Sequence, residues 1–60
     1  MIKLTLKEID AFIQMGLAAG RDALAIWRDI KAAEEKRHGP NDFINLGALR
    51  ARTMARGLRL

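Results

Sequence analysis

The sequence predicts an all-α fold, a helical hairpin with a long helix over about residues 6–37 and a short helix over about residues 42–56. The first observation behind this prediction is a helix start signal at Thr5. The second is a proline-free stretch up to Pro40 that is rich in Ala, Leu, Glu, Lys and Arg, which have high helix propensity. The third is a stop signal at Gly39, which separates the two helices. We expect residues 1–60 to form a single small domain.

The start of the first helix is predicted by two independent features. Thr5 and Glu8 have the spacing of a capping box, in which each side chain accepts a hydrogen bond from the other residue's backbone N–H. Leu4 and Ile9 occupy the positions of a hydrophobic staple. Residues 1–5 alternate apolar and polar side chains, which indicates a short extended N-terminal arm. The similarly alternating segment 58–60 is a candidate contact for this arm.

The boundary between the helices is predicted from His38 to Asn41. Basic residues precede Gly39, which suits a helix C-terminus, and Pro40 cannot continue a helix. Asn41 is a favourable N-cap for the second helix, and Gly57 is predicted to end it.

Gly16 and Gly20 leave two interpretations open for the middle of the long helix. A glycine inside a helix costs about 1 kcal/mol relative to alanine, so either glycine could break the helix and give three short helices. Alternatively, the small residues form a strip where another helix crosses closely. The strip consists of Gly16, Ala19, Gly20 and Ala23. Neither glycine has the residue pattern of a DNA-binding helix-turn-helix, since Phe12 and Asp29 fall at unsuitable positions.

The predicted protein interface follows from helix length. The long helix would extend roughly 48 Å and the short one only roughly 22 Å, so the second helix could not cover the first half of the apolar face. An exposed apolar patch of that size marks an interaction site. The predicted interface comprises Leu6, Ile9, Phe12, Ile13, Gly16, Gly20 and Ala23.

The residue inventory argues against catalysis and against a metal site. The chain has no Ser, Cys or Tyr, and its only histidine, His38, is expected to act as a cation at a helix C-terminus. Glu34 and Glu35 lie among basic residues, which predicts solvated ion pairs along the helix. Two helices cannot enclose a substrate pocket of about 300 Å³. We therefore expect no catalytic residues, no metal, no cofactor and no small-molecule substrate.

The formal net charge of +4 comes entirely from the C-terminal part of the chain, because no acidic residue follows Asp42. The arginines there are Arg50, Arg52, Arg56 and Arg59. They could bind nucleic acid, because guanidinium matches phosphate. They could equally bind an acidic protein surface, or serve only to keep the chain soluble.

Taken together, these features predict a non-enzymatic protein–protein interaction module. It would oligomerise or dock into a larger assembly through its apolar helix face, as a phage-encoded accessory protein or minor structural subunit would. The alternative is a nucleic-acid-binding protein that uses the arginines. Charged residues interrupt every apolar stretch and no export signal is apparent, so the expected location is the cytoplasm, a virion or another assembly. Docking to a membrane surface is the weakest hypothesis.

Overall fold

A computed structural model describes residues 3–39 and 43–60, and within them the chain forms three helices and no strand. These are α1 (Leu6–Ala18), α2 (Ala23–His38) and α3 (Leu46–Ala55). Each helix contacts the other two. The prediction of an all-α fold is confirmed, whereas the two-helix hairpin is wrong. Within the described ranges, no helix is both long and apolar enough to cross a membrane.

The predicted long helix is interrupted at Gly20, as the competing interpretation proposed. Gly20 has a φ of +74°, a left-handed conformation that glycine adopts without steric cost. The Gly20 N–H donates to the Leu17 carbonyl at 3.0 Å, and the Arg21 N–H donates to the Gly16 carbonyl at 2.9 Å. This pair of bonds is a Schellman motif, which satisfies the last carbonyls of α1.

A new helix start lies directly after this turn. Asp22 is the N-cap of α2, and its carboxylate accepts a hydrogen bond from the Ala25 N–H at 2.8 Å. Glycine followed two residues later by an N-cap aspartate is therefore a complete helix end and restart. The capping hydrogen bonds at Gly20 and Asp22 replace the backbone hydrogen bonds that a continuous helix would have made across this position.

Replacing Gly20 with alanine should destabilise the protein by about 1 kcal/mol, because an L-residue is strained in the left-handed region. Apart from its two chain neighbours, no described residue has an atom within 4 Å of the position that the new Cβ would occupy, so the cost should come from the backbone alone. Urea denaturation followed by circular dichroism measures it. An unchanged or increased free energy of unfolding would show that the turn does not depend on glycine at this position.

The first helix begins as predicted. The Glu8 N–H donates to Thr5 Oγ1 at 3.1 Å and the Thr5 N–H donates to Glu8 Oε1 at 3.0 Å, which completes the capping box. Before the helix, Leu4 is buried in the core, so the N-terminal segment is packed against the helices. Met1 and Ile2 lie outside the described residues.

The second predicted helix begins later than expected. Its N-cap is Asn45, which accepts from the Ala48 N–H at 3.0 Å, and residues 43–45 are not helical. The predicted restart at Asn41 and Asp42 lies outside the described residues. Near the predicted end, α3 stops at Ala55, and Gly57 follows with a φ of +97°.

The core contains apolar side chains from all three helices and from both flanking segments. Its members are Leu4, Ile9, Ile13, Ile26, Ile30, Leu49 and Leu58. Because the chain turns at Gly20, α1 folds back onto α2. The N-terminal apolar residues therefore pack into the core, which they could not reach if α1 and α2 formed one continuous helix.

Candidate protein-interaction groove

The predicted interface residues do not form one exposed surface. Ile9 and Ile13 are buried within the chain, so for them the prediction of a free docking face is wrong; Gly16 is also buried, although it lines the groove described below. The physical reason is the turn at Gly20, which lets the chain cover these residues itself. The other four are at least partly accessible: Leu6 and Gly20 are exposed, and Phe12 and Ala23 are partly buried against the core.

An open groove of about 480 Å³ lies instead along the side of α1 that borders α2. Its lining is mostly apolar and comes mainly from α1. The lining residues are Glu8, Ala11, Phe12, Met15, Gly16, Ala19, Arg21 and Asp29. Only Phe12 and Gly16 of the predicted interface belong to it, so the groove and the predicted patch overlap in part.

Met15 is the most prominent side chain of the groove, with 73% of its surface exposed. Ala11 and Ala19 lie four residues before and after it, and therefore flank it on the same side of α1. The groove is therefore lined by one exposed, flexible methionine with a small residue on either side of it along α1.

The depth of the groove depends on how closely α1 and α2 approach each other. A Cβ atom added to Gly16 would lie 2.8 Å from Cδ1 of Ile26 and still closer to its Cγ1. Only glycine allows this approach. The predicted close crossing is thus present at Gly16, while the predicted break is present at Gly20.

Two ion pairs border the groove. Arg21 Nε lies 3.0 Å from Asp29 Oδ2, and Arg21 Nη2 donates to Asp29 Oδ1 at 3.2 Å. Glu8 is paired with Arg37, whose Nη1 donates to Glu8 Oε1 at 3.0 Å and whose Nη2 donates to Oε2. Since each acid is matched by a base, these two pairs add no net charge to the border of the apolar groove.

The pKa of Glu8 is held below its ordinary value of 4.5, chiefly by the hydrogen bond from the Thr5 backbone N–H. Partial desolvation opposes this shift, and the Arg37 guanidinium reinforces it. The folded state therefore favours the ionised carboxylate more than the unfolded state does. This contribution to stability is fully present above pH 4.5 and is lost as the pH falls through the lowered pKa.

Replacing Glu8 with glutamine tests this pH dependence. Glutamine can still cap the helix, but it cannot ionise or form an ion pair with Arg37. The wild-type protein should have the higher urea midpoint at pH 7, and the difference should shrink as the pH falls below about 4.5. A difference that stays constant from pH 7 to pH 3 would contradict the assignment.

The four C-terminal arginines differ in their exposure and in their ion pairs. Arg52 is directed inward, with 26% of its side chain exposed, and Arg56 Nη1 lies 3.5 Å from Asp10 Oδ2. Arg50 and Arg59 are exposed, and neither has an ion pair among the residues that the structure describes.

Glu34 was predicted to be solvated, and this prediction is wrong. Its side chain is only 2% exposed, and its Oε1 accepts a hydrogen bond from the Leu4 N–H at 2.9 Å. Arg52 Nη2 lies 3.3 Å from Glu34 Oε2, and Arg52 Nη1 donates to the Leu4 carbonyl at 2.8 Å. The Glu34–Arg52 pair thus ties the N-terminal segment to α2 and α3. Leu4 and Arg52 are distant from Glu34 in the sequence, so the local sequence pattern did not indicate these contacts.

His38 is also more buried than predicted, with 7% of its side chain exposed. Its Nε2 lies 3.8 Å from Glu34 Oε2, and neither ring nitrogen has a hydrogen-bond partner among the described residues. The only sequence signal for this pairing was the spacing of four residues. In residues 3–39 and 43–60, no three His, Asp or Glu side chains come together as a set that could hold a metal ion.

No protein-family model, curated protein or solved structure matches this chain. The functional proposal therefore depends on the geometry of the groove.

Proposed function

We propose that this chain is a non-enzymatic protein-interaction module that binds an amphipathic helix of a partner polypeptide in the groove along α1. One observation carries the proposal: Met15, a large apolar side chain, is 73% exposed at the centre of an apolar groove of about 480 Å³. Exposing such a group to water costs free energy that binding would recover.

The chemistry of the groove favours a helix as the bound element. Helix-in-groove recognition uses apolar side chains three and four residues apart, which enter a hydrophobic groove. Ala11 and Ala19 are small enough to let another backbone approach, and Met15 can change rotamer to fit the partner. The paired charges of Glu8 and Arg21 lie where the polar edge of a bound helix would be.

Nucleic-acid binding through the arginines has less support. Arg52 and Arg56 are already paired with Glu34 and Asp10, so half of the predicted cluster is occupied by carboxylates of the same chain. A salt-dependent affinity for a labelled oligonucleotide that is lost when Arg50 and Arg59 are both replaced by glutamine would favour this second function.

The proposal is tested by selecting binders from a displayed library of helical peptides. Peptides with apolar residues at helical spacing should be enriched on the wild-type chain, and their binding should be lost on Met15→Glu. Leu17→Glu is the matched control, because Leu17 is 60% exposed on the same helix but does not line the groove. Binders that ignore Met15→Glu, or that fail equally on both variants, would refute the groove as the binding site.

A further inference from the structure

We propose that α3 and the residues on either side of it dock onto the surface of an anionic lipid membrane. The docking surface, which we call the α3 surface, combines three exposed apolar side chains with two exposed arginines. It consists of Phe43, Leu46, Arg50, Met54 and Arg59. None of these residues lines the groove along α1, so the proposal goes beyond the proposed function and does not depend on it.

The exposed side of α3 is mostly apolar. A helix at a protein surface usually places charged and polar residues opposite the residues that it buries. In α3 the buried residues are Leu49 and Thr53, and Arg50 is the only charged residue among the exposed ones. Leu46, Arg50 and Met54 follow one another at intervals of four residues, so they lie along one side of the helix. This side presents two large apolar side chains, each 46% exposed, with an arginine between them.

Phe43 extends the apolar part of the α3 surface beyond the N-terminal end of the helix. It lies three residues before Leu46, outside α3, and 97% of its surface is exposed. A phenylalanine with this exposure contributes almost nothing to the core, and its transfer from water to an apolar environment is favourable. Phenylalanine and leucine are also typical of the side of an interfacial helix that enters a membrane.

The charge of this part of the chain favours an anionic partner. Residues 43–60 contain four arginines and no acidic residue, whereas the charges of residues 1–42 sum to zero. Arg50 and Arg59 are exposed and have no ion pair among the described residues, so both can bind lipid phosphates. Arg59 and Met54 line the same open depression at the C-terminal end of α3. Positive charge and apolar side chains therefore occur together in one surface.

This combination fits a lipid surface better than nucleic acid or an acidic protein. A nucleic acid would offer phosphates to the arginines and a base to stack on Phe43, but nothing that matches the aliphatic side chains of Leu46 and Met54. An acidic protein would need apolar pockets and carboxylates at the same spacing as these side chains. An anionic bilayer has acyl chains directly beneath negative headgroups at every point of its surface.

Co-sedimentation of the full chain with lipid vesicles tests the proposal. The chain should bind vesicles of phosphatidylserine and phosphatidylcholine, and should bind vesicles of phosphatidylcholine alone about tenfold more weakly or less. Binding should weaken as salt is added, because salt screens the attraction between the arginines and the headgroups. Absence of binding to the phosphatidylserine vesicles at low salt would overturn the proposal.

A pair of double variants tests the role of the two arginines. Replacing Arg50 and Arg59 together with glutamine should lower the partition coefficient roughly 25-fold, since each basic residue near an anionic membrane contributes about fivefold. The matched control is Arg28→Gln with Lys36→Gln, which removes the same charge from exposed positions of α2. The control should lower the coefficient by less than about threefold, because distant charges are screened. Equal losses would indicate general attraction of a basic chain and would overturn the α3 surface.

Phe43→Ser tests whether apolar side chains enter the membrane. It should lower the partition coefficient about tenfold, because a large apolar side chain no longer leaves water on binding. Leu17→Ser is the control, since Leu17 is 60% exposed but lies on α1. Circular dichroism verifies that both variants keep their helical content. A Phe43→Ser variant that binds as well as Leu17→Ser would contradict the insertion of Phe43.

A labelled oligonucleotide separates this proposal from nucleic-acid binding. Binding of the oligonucleotide without binding of the anionic vesicles would assign the α3 surface to nucleic acid and overturn the proposal. The variants of the α3 surface should leave the binding of the selected helical peptides unchanged, because none of the substituted residues lines the groove. The membrane proposal and the proposed function can therefore fail independently.

Discussion

Replacing Arg52 with methionine is expected to destabilise the protein by about 3 kcal/mol, the low end of the cost of breaking a buried ion pair. Methionine preserves much of the apolar packing of the arginine stem but removes its charge. Glu34, only 2% exposed, would then keep the Leu4 N–H as its donor but lose the guanidinium of Arg52. The free energy of unfolding from urea titration measures the loss.

Two further variants separate loss of the ion pair from a general disturbance of α3. Adding Glu34→Gln to Arg52→Met should recover about half of the lost stability, because glutamine removes the buried charge and can still accept the Leu4 N–H. Arg50→Met, at an exposed position of the same helix, should change stability by less than about 0.5 kcal/mol. The account fails if Arg52→Met is as harmless as Arg50→Met, or if the double variant shows no recovery.

Replacing Gly16 with alanine is expected to cost about 2 kcal/mol, within the range for overpacking a core. The new methyl group would collide with Cγ1 and Cδ1 of Ile26, which is fully buried and has little room to move. The two helices would have to separate, so the depth of the groove should change together with stability. Chemical denaturation of the purified variant gives the size of the effect.

Gly47→Ala is the matched control for this effect. Gly47 also lies inside a helix, but among the residues that the structure describes its added Cβ would meet only Asn45 Oδ1, at an ordinary distance of 3.5 Å. Alanine should therefore stabilise α3 by about 0.5–1 kcal/mol through its better helix propensity. The two substitutions should have opposite signs. A stabilising Gly16→Ala would mean that α1 and α2 do not pack closely at this position.

Local sequence signals predicted local structure well. The capping box of Thr5 and Glu8 is formed by residues three apart, and it is present as predicted. The choice between a continuous helix and a turn at Gly20 could not be made in this way, because the local penalty of a glycine is small. The gain from turning comes from Ile13 and Gly16 meeting α2, which depends on contacts between distant parts of the chain.

Contacts between distant parts of the chain also explain why sequence patterns did not predict parts of the candidate site. Glu34 is buried because it meets Leu4, thirty residues earlier, and Arg52, eighteen residues later. The charged residues next to Glu34 in the sequence do not indicate that Glu34 is buried. The groove is partly predictable from the sequence, since Gly16 and Ala19 belong to the predicted strip of small residues. Met15 was missed, although its position four residues from Ala11 and from Ala19 was visible in the sequence.

The central claim, that the groove along α1 is the surface at which this protein binds another chain, is tested most directly by amide NMR shifts. A helical peptide enriched in the library selection is added to isotopically labelled chain, and the shifts are followed residue by residue. We predict that the changes concentrate at Ala11, Met15 and Ala19 and are absent at Arg50 and Arg59. Unchanged shifts at the groove, or changes confined to α3, would contradict the account.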